Sequence, residues 1–463
     1  MILKKYNRKE FIKKISVATL GFTAFSKLIA SKPLLDKIIF NNSLINDPKG
    51  IINLPEGFKY KIISQKNDLM DDGLRVPNAA DGMACFQGSK NNIILIRNHE
   101  LGHAPVIGNA FSNNPTFGEN FNSYFKKNRT KFYDTYKNKT ECFGCTTSIV
   151  YNLKTKKIKK QYLSLGGTLV NCSGGPTPWN TWISCEETVK KNEGKVSKNH
   201  GYNFEVKPSE KIYLSNAKPL KDMGRFRHEA IAVDPINNFV YQTEDREDGL
   251  FYRFIPKSKT KLIKGGKLQG LSLVNFRGPD CSNWKRQLFK VGERHRVRWI
   301  NLDNVDSLKD DLRKRGRNRG CAIFTRGEGM WFAEDYVYFT STNGGKDKLG
   351  QIWRYRHEPD SNSEGYVELF FESKNKDILK MPDNITVSPW GDLVVSEDGK
   401  GHDRLIGINK EGQSYMIAKN IFNKSEFAGA CFSPNGKVLF VNIYKPTMTL
   451  AIEGPWKNLK NPI

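Results

Sequence analysis

Histidine is nearly missing from this chain, with seven residues in 463. Apart from one pair, none has the close spacing that dinuclear zinc hydrolases use, so metal chemistry here must rest mainly on carboxylates. Long amphipathic helical patterns are also scarce. Strand-type runs are frequent and glycine is plentiful, at 39 residues, which points to an all-β fold. A second C-x-x-C is lacking beside Cys142-Phe143-Gly144-Cys145, which argues against a zinc ribbon. That pair is either a local disulfide or two free thiols.

The one close histidine pair lies in His99-Glu100-Leu101-Gly102-His103, which matches the H-E-x-x-H pattern of zinc peptidases. That pattern works only on a helix, where residues i and i+4 share a face. Here it follows the alternating run "NNIILIR" and enters Gly102, Ala104-Pro105 and Gly108, which discourage a helix. It therefore reads as a strand end, with Glu100 a candidate for the site and His103 incidental.

The formal charge is +26. The lysines are scattered through loops such as residues 154–160 and 190–198, with no aromatic interleaving, which does not fit a nucleic-acid binder. A positive field that draws small anionic substrates into a cleft fits better, and a merely lysine-rich composition accounts for the charge more simply than either. Near the amino terminus, "NRKEFIKK" precedes the apolar run "ISVATLGFTAFSKLIA", too short and interrupted for a stable membrane span. Residues 1–32 read as an export signal. Arg8-Lys9-Glu10-Phe11-Ile12-Lys13 resembles the twin-arginine signal, with Lys9 in place of the second arginine. Residues 33–463 are expected to form a single catalytic domain in the periplasm or outside the cell.

Three segments share one grammar: "HEAIAVDPINNFVYQTED", "DNITVSPWGDLVVSEDG" and "AGACFSPNGKVLFVNI". Each joins two short apolar strands through Asp/Ser-Pro and a Gly or Asn, the chemistry of a tight turn. Looser versions occur at residues 83–100, 168–188 and 329–345. Six such hairpins predict a six-bladed β-propeller with loop insertions, rather than a sandwich or β-helix. Each second strand ends in polar residues: Asn98-His99-Glu100, Cys185-Glu186-Glu187, Glu244-Asp245, Thr342-Asn343, Glu397-Asp398 and Asn442. Equivalent strand ends converge on a propeller axis, and carboxylates crowded there need cations. Oxygen ligands suit calcium, whereas a thiol beside them, Cys185, suits iron. Arg326-Gly327-Glu328-Gly329 adds a guanidinium that can fork onto phosphate.

The segments "GGPTPWNTWISCEET", "GRFRHEAIAVDP", "YQTEDREDGLFYRF", "FTRGEGMWF", "VYFTSTNGG", "GQIWRY", "DNITVSPWGDLVVSEDG" and "GPW" resemble, in this order, the PhoX family of bacterial alkaline phosphatases. The resemblance implies a six-bladed propeller that is exported by the twin-arginine route and hydrolyses phosphomonoesters. It also implies a cluster of two ferric and three calcium ions joined by a bridging oxo group. On the same basis Cys185 is the thiolate ligand to iron, and Glu187, Glu229 and Asp248 are further ligands. Arg326 contacts phosphate and Glu328 is its neighbouring ligand. Glu397 and Asp398 form a blade-end acidic pair. Where relatives often read His-Asp-Gly-Met, this chain has Ala80-Asp81-Gly82-Met83, leaving Asp81 a candidate ligand. The protein is read as a monomer acting on small molecules. The alternatives are a calcium-dependent propeller hydrolase of lactones or phosphotriesters, or a surface binding propeller without catalysis.

Overall fold

The computed structural model describes residues 43–102, 120–138, 140–361 and 363–460. Residues 39–463 make one compact unit. The expected export segment, residues 1–32, lies outside the described residues, as does His103.

All six expected hairpins form. Their strand pairs are Ala80–Gln87 with Asn92–His99, Asn171–Pro176 with Trp182–Glu186, and His228–Val233 with Val240–Glu244. The other three are Gly327–Ala333 with Tyr336–Ser341, Pro382–Val387 with Leu393–Glu397, and Phe427–Phe432 with Val438–Ile443. The turns behave as their residues dictate. Asp234 Oδ1 accepts the backbone N–H groups of Ile236 and Asn237, and Asn238 takes the left-handed conformation. The Ser388 and Ser433 hydroxyls accept the N–H groups of Asp392 and Val438, closing the two Ser-Pro turns.

Six separate blades do not result. The described strands form five sheets, of six, three, nine, four and four strands. Four of these have at least four strands, whereas the second hairpin gains only Asn203–Val206. The third and fourth hairpins share the nine-stranded sheet because the edge strands Arg294–Asn301 and Glu364–Glu372 pair with each other. Edge pairing also closes the unit. Lys59–Gln65, near the start of the chain, pairs with Met448–Glu453, near its end.

The arrangement is nevertheless propeller-like. The first strands of the hairpins pack side by side in a closed ring, in chain order, with Phe427–Phe432 returning against Ala80–Gln87. Such close approach requires small residues. A Cβ on Gly82 would stand 2.6 Å from the Ser173 Cα, and one on Gly175 2.0 Å from the Ile231 carbonyl oxygen. Each first strand also carries a register break, a β-bulge, against its partner.

Gly175→Ala should therefore destabilise the fold by about 1–3 kcal/mol, the usual cost of overpacking. Denaturant unfolding monitored by tryptophan fluorescence measures it; an unchanged midpoint would show that the ring has slack at this position.

Candidate metal centre

The bulges set the chemistry. In five hairpins the first residue inside the break is a metal-ligating type: Asp81, Cys172, Glu229, Glu328 and Asp383. In the sixth it is Gly429. A bulge leaves one residue unpaired and turns its side chain out of the normal alternation. Here the turned side chains meet. The ligand atoms of Cys172, Glu187 and Glu229 lie within 4.8 Å of one another, and so do those of Glu229, Glu328 and Asp383. Glu229 belongs to both groups.

A second tier comes from the ends of the second strands, where strand alternation separates adjacent residues. The residues just past the strands, Glu100, Glu187, Asp245 and Asp398, face the shared acidic region, in which Asp398 bears on Asp383 and Glu426. The last residues within the strands point into the sheets. Glu186 accepts a hydrogen bond from His200 Nδ1 at 2.6 Å, Glu244 from the Tyr252 hydroxyl at 2.6 Å, and Glu397 from Arg404 Nε at 2.7 Å. His99 is likewise buried, bonded to Asn78 O and Thr147 Oγ1.

Two arginines answer the acids. Arg326 Nε donates to Asp245 Oδ1 at 2.9 Å and its Nη2 to Glu328 Oε1 at 2.6 Å. Arg227 pairs closely with Glu187 and lies 3.6 Å from Asp245. Their side chains stay 27% and 31% exposed while Glu328 beside them is 6% exposed, so both guanidinium groups stand between the acids and solvent. A cleft of about 520 Å³ opens at Glu187 and Arg227, with Lys190, Lys191 and Arg246 on its walls.

A family model, described as alkaline phosphatase PhoX, matches residues 40–447. The chain belongs to the PhoX family of alkaline phosphatases. The fold of the PhoX of Pseudomonas fluorescens, solved in complex with vanadate, is similar at a TM-score of 0.62 and 17% identity, over 88% of this chain and 96% of that one. A gluconolactonase of Xanthomonas campestris is more distant, with a TM-score of 0.40 and 10% identity over 85% of this chain and 98% of that one. No curated protein matches the chain.

For a PhoX-family chain the donor set fits hard cations together with one softer metal. Burial, then facing carboxylates, push Asp81, Glu187, Glu229, Glu328 and Glu426 well above the usual carboxylate range. The same causes bring Asp383 up to about 7. Asp245 goes the other way, because Arg326 and Arg227 outweigh its burial. Arg227, Arg326 and Lys445 cannot balance this many acids, which leaves protonation or bound cations.

The expected ligands divide accordingly. Glu187, Glu229 and Glu328 lie in the two ligand groups, and Asp81 and Asp398 lie in the same acidic region. Three assignments need correction. Cys185 and Cys172 share one apolar cluster, and it is Cys172 whose sulfur reaches Glu187 and Glu229, whereas Cys185 belongs to neither ligand group. Asp248 accepts a 2.7 Å hydrogen bond from Arg313 Nε with its carboxylate 41% exposed, outside both ligand groups. Glu397 is consumed by Arg404, which parity along the strand requires. Cys172, Arg227, Asp383 and Glu426 went unread. For Cys172 and Asp383 a signal existed, since each is the second residue of its first strand, like Glu229 and Glu328.

The raised carboxylates fix a pH dependence. A group such as Asp383, ordinarily near 3.8 and held at about 7 in the fold, favours folding while protonated and loses that contribution as pH rises through about 7. In chelator, the thermal midpoint should fall from about pH 5 to about pH 8, and added calcium should restore it. A midpoint that rises over this range would mean that the acids are not crowded.

Proposed function

We propose that this cluster binds iron and calcium and hydrolyses phosphomonoesters to release inorganic phosphate. The observation that carries the reading is the single thiol, Cys172, placed among converging buried carboxylates beneath two half-exposed arginines. A calcium-only lactonase has no need of that thiol or those guanidinium groups. When bound, the metal ions neutralise the carboxylates and polarise the phosphoryl group. Cys172, Glu187, Glu229, Glu328 and Asp383 would hold them, with Asp81, Asp398 and Glu426 in support.

Arg326 forks onto phosphoryl oxygens and stabilises charge as it moves in the transition state. Glu328 and Asp245 fix the plane of its guanidinium, so little ordering is left to the moment of reaction. Arg227, paired with Glu187 and 3.6 Å from Asp245, plays the same part beside it. The lysines of the cleft draw the dianion inward. We further propose export by the twin-arginine route, which carries proteins already folded and would deliver the metal cluster assembled. No helix among the described residues is long and apolar enough to cross a membrane.

Cys172→Ser should lose iron and phosphatase activity together, whereas Cys185→Ser should keep both. Arg326→Ala should retain its metals and lose on the order of 100-fold in kcat/KM for p-nitrophenyl phosphate, comparable with removing one oxyanion donor. Metal analysis with steady-state kinetics reads all three variants. Wild-type protein that carries calcium alone and cleaves lactones but not this ester would overturn the reading.

A further inference from the structure

A second cluster lies on the far side of the same strand end and takes no part in the phosphatase chemistry. Glu187 faces the axial acids, so its neighbour Glu186 faces the interior of the sheet, toward His200. There His200 Nε2 stands 3.7 Å from Cys142 Sγ and 3.4 Å from Asp134 Oδ2. The donor atoms of Asp134, Cys142 and His200 all lie within 4.8 Å of one another, and all three residues are buried.

We propose that Asp134, Cys142 and His200 form a second, independent site for a tetrahedral transition metal of the zinc class. Zinc takes nitrogen and oxygen at about 2.0–2.2 Å and sulfur at about 2.3 Å, which puts ligand atoms roughly 3.4–3.6 Å apart around a tetrahedron. The two separations, 3.4 and 3.7 Å, lie close to that spacing. A single water would be needed to complete the fourth position.

The surroundings prepare each ligand. Glu186 takes the backbone N–H groups of Leu169 and Gly201 at 2.9 and 2.8 Å, which pins it against His200 Nδ1 and aims Nε2 at the other two donors. A carboxylate behind a histidine is the usual support of a metal-bound imidazole. Asp134 is oriented by the N–H groups of Ser197 and Lys198 and by the Ser197 hydroxyl. Leu169 and Val196 wall the thiol off from water. Cys142 has no disulfide, since Cys142 and Cys145 are both free and pack in different apolar clusters.

Binding releases the thiol proton and any proton on His200 Nε2 to solvent. The thiolate and Asp134 then balance the dication. The competing state is metal-free, with His200 as an imidazolium between Asp134 and Glu186. The two states differ in what they hold in place. His200 donates its backbone N–H to Lys190 O at 2.8 Å, so the metal would anchor the segment that carries Thr188, Val189, Lys190 and Lys191 on the wall of the cleft.

Cobalt reports on this site apart from the axial one. The full chain is reconstituted with Co²⁺ in the wild type, in Cys172→Ala, which removes the axial thiol, and in Cys172→Ala/Cys142→Ala. A thiolate-to-cobalt charge-transfer band should persist in Cys172→Ala and vanish in the double variant. Zinc content should fall by about one equivalent per chain in Cys142→Ala, with its iron retained. A folded Cys172→Ala protein without the band, or equal zinc in wild type and Cys142→Ala, would overturn the proposal. If Cys142→Ala does not fold, the Cys172→Ala spectrum decides alone, because that variant leaves all three ligands in place. Loss of phosphatase activity in Cys172→Ala is expected from the axial site and does not bear on this one.

Discussion

Electrostatic crowding at the ring of first strands governs this structure. Asp81, Glu100, Glu187, Glu229, Asp245, Glu328, Asp383, Asp398 and Glu426 act on one another in a single region, and among the described residues Arg227, Arg326 and Lys445 oppose them there. In a region partly closed to water such an assembly is either protonated or neutralised by bound cations. Its cost falls on the fold, and its use lies in the affinity for metal that the same repulsion creates.

The backbone makes that crowding possible. Glycines 82 and 175 let neighbouring first strands approach to distances that no side chain would allow, which narrows the ring. The bulges then turn one residue of each strand out of its normal place. A regular ladder would have sent these side chains into the sheets, where Glu186, Glu244 and Glu397 now bond His200, Tyr252 and Arg404. Packing and chemistry are thus set by the same few residues.

Much of this was legible in the chain. The Asp-Pro and Ser-Pro turns marked three hairpins, because Pro and Asn or Gly restrict the backbone locally. The acidic ends of the second strands pointed to a converging site, and Glu187, Glu229 and Glu328 are in it. What misled was parity. In "SCEE" and "SEDG" an adjacent pair offers two acids, and only the strand register tells which faces the axis. Cys185 drew the thiolate reading from its place beside the acids of "SCEE", whereas Cys172 is marked only by being the second residue of its first strand. Asp248 matched a motif, but Arg313, distant in sequence, claims it. The histidine–glutamate pattern at residues 99–103 dissolved once His99 fell inside a strand.

The sequence by itself determined the all-β class, the hairpins and the family, because turn chemistry and ordered motifs are local properties. Tertiary structure decided how the sheets divide, since edge pairing between Arg294–Asn301 and Glu364–Glu372 joins two hairpins that the sequence presents as separate. It also decided which side chains meet. Whether Cys172 or Cys185 reaches the carboxylates, and whether Cys142 finds His200 or Cys145, depends on register and on distant partners. Neither is written within a few residues of the cysteine itself.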